Sequence, residues 1–174
     1  MTKYIAFLRA INVGGTKIIK MDDLRKIFES FELSNVQTFI QSGNVIFEST
    51  AKNTMTLESK IEKQLEEALG YRVKMFLRTM AEIASIVNQN RFEPKAADTL
   101  HIAFLREKPA KTQLGTLKKY NSPADEFAVI GREVYNLRHN RDKSVFSNNF
   151  IEKIFGAATT RNITTLKKIF EKYQ

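Results

Sequence analysis

Apolar residues along this chain fall into short runs of strand length and longer stretches with helical spacing. The first half contains four runs that predict strands, at residues 3–10, 36–40, 44–48 and 72–77. Residues 54–69 predict a helix, because Leu57, Ile61 and Leu65 recur on one face and Gly70 is a natural C-cap. Helical spacing also predicts helices over 21–32 and 80–90, which gives the order β-α-β-β-α-β-α.

The second half repeats this order. The pentapeptide Ile-Ala-Phe-Leu-Arg occurs twice, at residues 5–9 and 102–106. Strands are predicted at 100–106, 127–130 and 133–137, with a short fourth at 157–160. Three helices are predicted, around 114–120, over 150–155 with Gly156 as the cap, and over 163–173. Gly70 matches Gly156, and Arg78 matches Arg161, just before the last helix of each half.

The first six elements of each half have the ferredoxin-like order. The sequence therefore predicts an α+β tandem repeat of two ferredoxin-like βαββαβ units, each followed by an extra helix, with antiparallel sheets. The first unit is expected over residues 1–90 and the second over 99–174. Residues 91–98, which include Pro94, are expected to be the linker.

The composition excludes several kinds of site. The chain has no cysteine, so it has no disulfide, no thiolate-ligated metal and no cysteine nucleophile. Its two histidines, His101 and His139, show no metal-ligand spacing and no obvious orienting acid, so we expect no metal and no histidine-based triad. The apolar run at the N-terminus is short and meets Arg9, which is unlike a signal peptide, and no segment is long enough to span a membrane. A cytoplasmic location is the expectation by default.

The net charge is +9 and it is uneven. Residues 1–90 hold 12 Lys and Arg against 10 Asp and Glu, whereas residues 91–174 hold 16 against 9. The basic second half could attract phosphates or nucleic acid, or could simply be a solubilising surface.

Three polar segments are candidate ligand-binding regions. The first contains Arg9, Asn12, Gly14, Gly15 and Lys17, where a glycine pair could point backbone N–H groups at an anion. The second contains Gln41, Ser42 and Asn44, which ordinary hairpin chemistry also explains. The third contains Thr160, Arg161 and Asn162.

Asn162 of the third segment can cap the last helix. A cation at a helix start conflicts with the dipole there, so Arg161 suggests an anionic partner, from a ligand or from the protein. A basic loop at 138–143 is a fourth candidate, for which an exposed surface is the simpler interpretation.

Together these motifs resemble a bacterial family known as domain of unknown function 1697. The resemblance rests on residues 4–15, Lys20-Met21, Leu24-Arg25, 41–45, and Thr160-Arg161-Asn162 followed by Thr165. It implies tandem ferredoxin-like units and no established activity, so it supplies no catalytic roles. This chain has Ala10 where the pattern usually has glycine, and Ile163 where it usually has tryptophan.

Several functions are compatible with these features. The sequence favours binding of an anionic small molecule, such as a nucleotide or phosphate ester, at the polar loops. A nucleic-acid-binding module is an alternative, although its strands lack the aromatic residues of RNA-recognition modules. An enzyme of unknown class with Arg161 as an electrostatic stabiliser, and an interaction module that is a monomer or pairs as a homodimer through a sheet edge, also stay open. The sequence leaves the cofactor unknown.

Overall fold

The computed structural model describes residues 1–12, 15, 17–40, 42–88 and 91–174. These residues form eight strands and six helices, and they divide into two compact units, Met1–Ala84 and Ser85–Gln174. The elements of the first unit are β1 (Thr2–Leu8), α1 (Met21–Glu29), β2 (Ser34–Phe39), β3 (Asn44–Ser49), α2 (Thr54–Leu69), β4 (Met75–Thr79) and α3 (Met80–Asn88). Those of the second are β5 (Thr99–Leu105), α4 (Lys111–Lys118), β6 (Asp125–Ile130), β7 (Glu133–Arg138), α5 (Asn148–Phe155), β8 (Ala158–Asn162) and α6 (Ile163–Tyr173).

Each unit contains one four-stranded antiparallel sheet. The strand orders are β2-β3-β1-β4 and β6-β7-β5-β8, so the repeated pentapeptide lies in a central strand both times. The prediction of an α+β fold with tandem ferredoxin-like units is therefore confirmed. The boundary between the units falls inside α3.

The core of the first unit lies between its sheet and helices α1 and α2. Alternate residues of β1, namely Tyr4, Ala6 and Leu8, face this core. α2 contributes Leu57, Ile61 and Leu65, the apolar stripe that its sequence spacing predicts. Asn53 caps α2 by accepting a hydrogen bond from the Thr56 N–H.

The second unit repeats this packing. Ala103 and Leu105 of β5 lie in a cluster with Leu117 of α4 and Ile151 of α5. The last helix, α6, packs against β5 and β8.

Helix carboxylates cover the outer edge of β4. Glu62 of α2 accepts a hydrogen bond from the Met75 N–H at 2.9 Å, and the buried Glu58 accepts one from the Leu77 N–H at 2.8 Å. The second unit repeats the first of these contacts, because Glu152 of α5 accepts from the Ala158 N–H at 3.1 Å. Met75 lies opposite Leu8 in its sheet as Ala158 lies opposite Leu105 in the other, so the two contacts are equivalent. In both units the carboxylate binds a backbone N–H of the edge strand, which could otherwise pair with another strand.

Two predicted boundaries in the first unit were wrong. The strand expected over 72–77 is Met75–Thr79, because β1 ends at Leu8 and residues 72–74 therefore have no strand to pair with. The helix expected over 21–32 ends at Glu29, because Glu32 has a left-handed backbone with φ of 58°.

Candidate functional site

The first polar loop leaves β1 through residues with left-handed backbone. Ala10 has φ of 55° and Asn12 has φ of 54°, a conformation that a Cβ atom disfavours. The Asn12 side chain closes the loop: its Nδ2 donates to the Ile19 carbonyl at 3.0 Å and its Oδ1 accepts from the Ile19 N–H at 2.8 Å. Asn12 therefore fixes the path of the backbone.

The second polar segment is the turn between β2 and β3. Asn44 is fully buried, and its Nδ2 donates to the Phe39 carbonyl and to the Ser42 Oγ, both at 2.9 Å. Ile40 has φ of 53° although it is β-branched, and it is 50% exposed. The side chain of Asn44 thus holds the hairpin closed.

These two segments contact each other. The Leu8 N–H donates to the Gly43 carbonyl at 2.8 Å. Gly43 has φ of 73°, and a Cβ atom there would lie 2.6 Å from the Ile11 Cδ1, so this close approach requires glycine. Within the first unit, the exit of β1 and the β2–β3 turn therefore form one surface.

Three basic residues lie in or beside these segments. Arg9 lies at the exit of β1, and its N–H donates to the Lys74 carbonyl at 2.8 Å, which places Lys74 beside the loop. The Lys17 Nζ lies 5.2 Å from the centre of the Tyr71 ring, a cation–π contact. Lys17 and Lys74 are both exposed. Gly14 and Gln41, two predicted site residues, lie outside the described residues.

The third predicted segment lies in the second unit, where several of its side chains form hydrogen bonds. Arg161 belongs to β8 and directly precedes Asn162, the N-cap of α6, so it lies just before the helix as predicted. Its Nη1 donates to the Thr159 Oγ1 at 3.0 Å and the Thr160 carbonyl at 2.9 Å. Burial lowers the pKa of Arg161 to about 10.

The neighbours of Arg161 also have defined contacts. Asn162 caps α6, as predicted, by accepting from the Thr164 N–H at 2.8 Å. The Thr160 Oγ1 donates to the Asn148 Oδ1 at 3.0 Å, which ties β8 to the start of α5.

His139 has two carboxylate partners, so the expectation that it lacks an orienting acid was wrong. Its Nδ1 lies 2.9 Å from an Asp98 oxygen, and its Nε2 lies 2.7 Å from a Glu126 oxygen. The hydrogen bond to Glu126, followed by that to Asp98, raises the pKa of His139. The hydrogen bond from His139 is likewise the main cause that lowers the pKa of Asp98.

The β6–β7 register carried a signal for the histidine contact with Glu126. Asp125 pairs with Arg138, and the His139 N–H donates to the Ala124 carbonyl, so Glu126 is the diagonal neighbour of His139 on the same face. Asp98 is far away in sequence, and no local pattern predicts its contact.

A buried polar network lies at the start of β6. Asp125 is fully buried and accepts three hydrogen bonds: from the Asn136 Nδ2 at 2.9 Å, the Ser144 Oγ at 2.7 Å and the Val145 N–H at 2.8 Å. It therefore fixes the segment that leads into α5. Next to it, His101 lies opposite Asn136 in the sheet and packs against Phe146, with ring centres 5.2 Å apart. Burial, with a smaller contribution from the charge of Arg138, lowers the pKa of His101 to about 4.

The described part of the chain contains neither a metal-binding cluster nor a membrane-spanning helix. No three His, Asp or Glu side chains there come together in a way that could hold a metal ion. None of the helices described combines the length and apolar character that crossing a membrane requires.

Comparison with known proteins places the fold and the family. The chain is similar in structure to the conserved bacterial protein SP0830 from Streptococcus pneumoniae, with a TM-score of 0.77 over 99% of each chain. The two sequences are 19% identical, so this likeness concerns the fold alone. No curated protein sequence matches the chain. The model of a family described as protein of unknown function (DUF1697) matches residues 1–135. Since that match spans most of the chain, the protein belongs to the DUF1697 family.

Proposed function

We propose that the first unit binds an anionic small molecule, such as a nucleotide or a phosphate ester, on the surface formed by the exit of β1 and the β2–β3 turn. The observation that carries this proposal is a concentration of backbone strain. Among the described residues, six other than glycine have a left-handed backbone, and four of them, Ala10, Asn12, Lys17 and Ile40, lie in these two contacting segments.

Such strain supports a binding role because it persists only where the surrounding structure imposes it. A left-handed residue with a side chain costs about 1–2 kcal/mol, and a β-branched residue such as Ile40 is an outlier there. Turns that alternate right- and left-handed residues direct successive N–H groups into one concavity, which suits an anion. The side chain of Asn12 is engaged in closing the loop, so in this proposal backbone groups bind the anion.

The charges of this surface support the same ligand class. Three cationic residues lie at one end of the sheet: Arg9, Lys17 and Lys74. Lys20 is next to them in sequence, directly after Ile19, whose backbone binds the Asn12 side chain. The proposed site also includes four residues on the ground of the sequence pattern alone: Gly14, Gly15, Gln41 and Ser42. Thr160, Arg161 and Asn162 belong to the second unit and are not part of this surface; a ligand-binding role for them stays a prediction from the sequence.

The test is calorimetric titration with pyrophosphate and with adenosine monophosphate at low salt. We expect saturable binding that weakens as salt is added. The double variant Lys17→Gln/Lys74→Gln removes two charges from this surface and should weaken binding at least tenfold, since each charged hydrogen bond contributes about 1.5–3 kcal/mol. The matched control is Lys167→Gln/Lys168→Gln, which removes the same charge from exposed positions of α6.

Equal weakening by the two double variants would mean that the anions respond only to the net charge. If wild type binds neither pyrophosphate nor adenosine monophosphate, the proposal is overturned. Retention of single-stranded RNA at low salt, without binding of either small anion, would favour the nucleic-acid alternative.

A further inference from the structure

The first unit has a second concave surface, at the other end of its sheet. Thr2 pairs with Ser49, whereas Phe7 pairs with Asn44, so the connection after β3 lies at the opposite end from the basic loops. There, residues 31–33, residues 49–53 and one face of α2 line a cleft of about 340 Å³. This volume is within the range of small-molecule sites.

The helical wall of the cleft is long. Asn53, the N-cap of α2, lines it together with Thr56, Lys60 and Gln64 from successive turns of the helix. Gln64 is the eleventh residue after Asn53, which corresponds to about 16 Å along a helix axis. An elongated ligand therefore fits this wall better than a compact one.

The floor of the cleft is apolar and is fixed by the core. Phe31, Leu57 and Ile61 line it and are also part of the core cluster, and the Phe31 ring lies 5.7 Å from that of Phe28. The connection after β3 is anchored as well, since the Tyr4 hydroxyl donates to the Ala51 carbonyl at 2.6 Å. The cleft is thus held by packing that exists without a ligand.

The two ends of the cleft differ in chemistry. At the α2 N-terminal end, Lys52 is an exposed cation beside Asn53. Along the wall, Lys60 is paired with Glu32 at 3.2 Å. At the far end, the Gln64 Oε1 is buried and has no hydrogen-bond partner among the described residues. A buried acceptor of this kind favours a ligand with a donor, and rotation of the terminal amide can turn its oxygen toward the cleft.

We propose that this cleft binds an elongated amphipathic carboxylate. Its carboxylate pairs with Lys52, its apolar body lies on Phe31, Leu57 and Ile61, and a hydroxyl or N–H at its far end donates to the Gln64 Oε1. This site is separate from the basic loops, and the ligand class differs because the cleft combines an apolar floor with the Lys52 cation at one end and a buried acceptor at the other.

The experiment compares octanoate with 8-hydroxyoctanoate by calorimetric titration of the full chain. We expect both to bind and the hydroxy acid to bind about 5–10-fold more tightly, as one satisfied hydrogen bond implies. Gln64→Leu should abolish this preference while retaining octanoate binding. Lys52→Gln should weaken both acids about 1.5–5-fold. The control Lys63→Gln, on the same helix but 80% exposed and outside the cleft lining, should change neither.

Circular dichroism shows whether each variant folds, and Gln64→Met provides a second substitution that removes the acceptor. Failure of both acids to bind saturably would overturn the inference. So would a preference for the hydroxy acid that persists in both Gln64 variants. Pyrophosphate binding should be unchanged in Gln64→Leu, so the two sites can fail or stand independently.

Discussion

Arg78 and Arg161 occupy the same position in their two sheets. Arg78 lies opposite Ile5 and Arg161 lies opposite Ile102, and these two isoleucines begin the repeated pentapeptide. Both arginines are buried, and each donates from Nη1 to the carbonyl of the preceding residue, at 2.8 Å in the first unit and 2.9 Å in the second. The duplication therefore extends from the sequence to side-chain interactions, which is why we regard Arg161 first as a structural residue.

Arg161→Ala tests this structural role. The substitution removes the donor to the Thr159 Oγ1 and the Thr160 carbonyl, in a buried place where an unmet acceptor costs about 1–3 kcal/mol. We expect the free energy of unfolding in urea to fall by at least that amount. The control Arg141→Ala, at an exposed position, should change it by less than about 0.5 kcal/mol. Equal stability of the two variants would contradict a structural role for Arg161.

Ala10→Gly should stabilise the protein. Ala10 has φ of 55°, where glycine pays no penalty for a Cβ atom, so we expect a gain of about 0.5–1 kcal/mol in the free energy of unfolding. The same change at Ala81, inside α3, should cost about 1 kcal/mol, because glycine is a poor helix residue. Destabilisation of similar size in both variants would show that the backbone at position 10 is not left-handed in solution.

The contacts of His139 predict one dependence of stability on pH. Its pKa is raised in the folded protein, so its contribution is complete below the ordinary value of 6.5 and is lost as the pH rises through the folded value. The pKa of Asp98 is lowered from 3.8, so its contribution is present above that value and is lost in acid.

Thermal melts at a series of pH values check this window. Relative to wild type, His139→Gln should melt lower between about pH 4 and 6.5, and the difference should shrink at pH 9. A constant difference across that range would rule out the ionised contact.

His101 predicts the opposite dependence. Burial lowers its pKa to about 4, so the folded protein resists a proton that the unfolded chain accepts near pH 6.5. Stability should therefore fall as the pH drops from about 6.5 to 4. His101→Phe retains the ring packing on Phe146 but cannot titrate, so it should lose part of this fall while His139→Gln does not. An acid profile for His101→Phe that matches wild type would contradict the prediction.

The sequence by itself determined the architecture, because local patterns carry it. The spacing of Leu57, Ile61 and Leu65 defined α2, and Gly70 marked its end with the left-handed backbone that the structure has, φ of 77°. The repeated pentapeptide indicated the duplication, and Asn162 indicated the start of α6. Each of these signals lies within one element or at its end, where hydrogen bonds and side-chain spacing connect near neighbours.

Only the tertiary structure decided which polar residues meet. Asp98 and His139 are 41 positions apart in sequence, and Glu58 is 19 positions from Leu77, whose N–H it binds. No local pattern connects the two members of either pair. The tertiary structure also placed Arg161 in a strand that runs up to the helix start, since pairing with β5 continues through Asn162. The cleft that Gln64 lines was invisible in the sequence for the same reason: its walls come from three segments that only folding brings together.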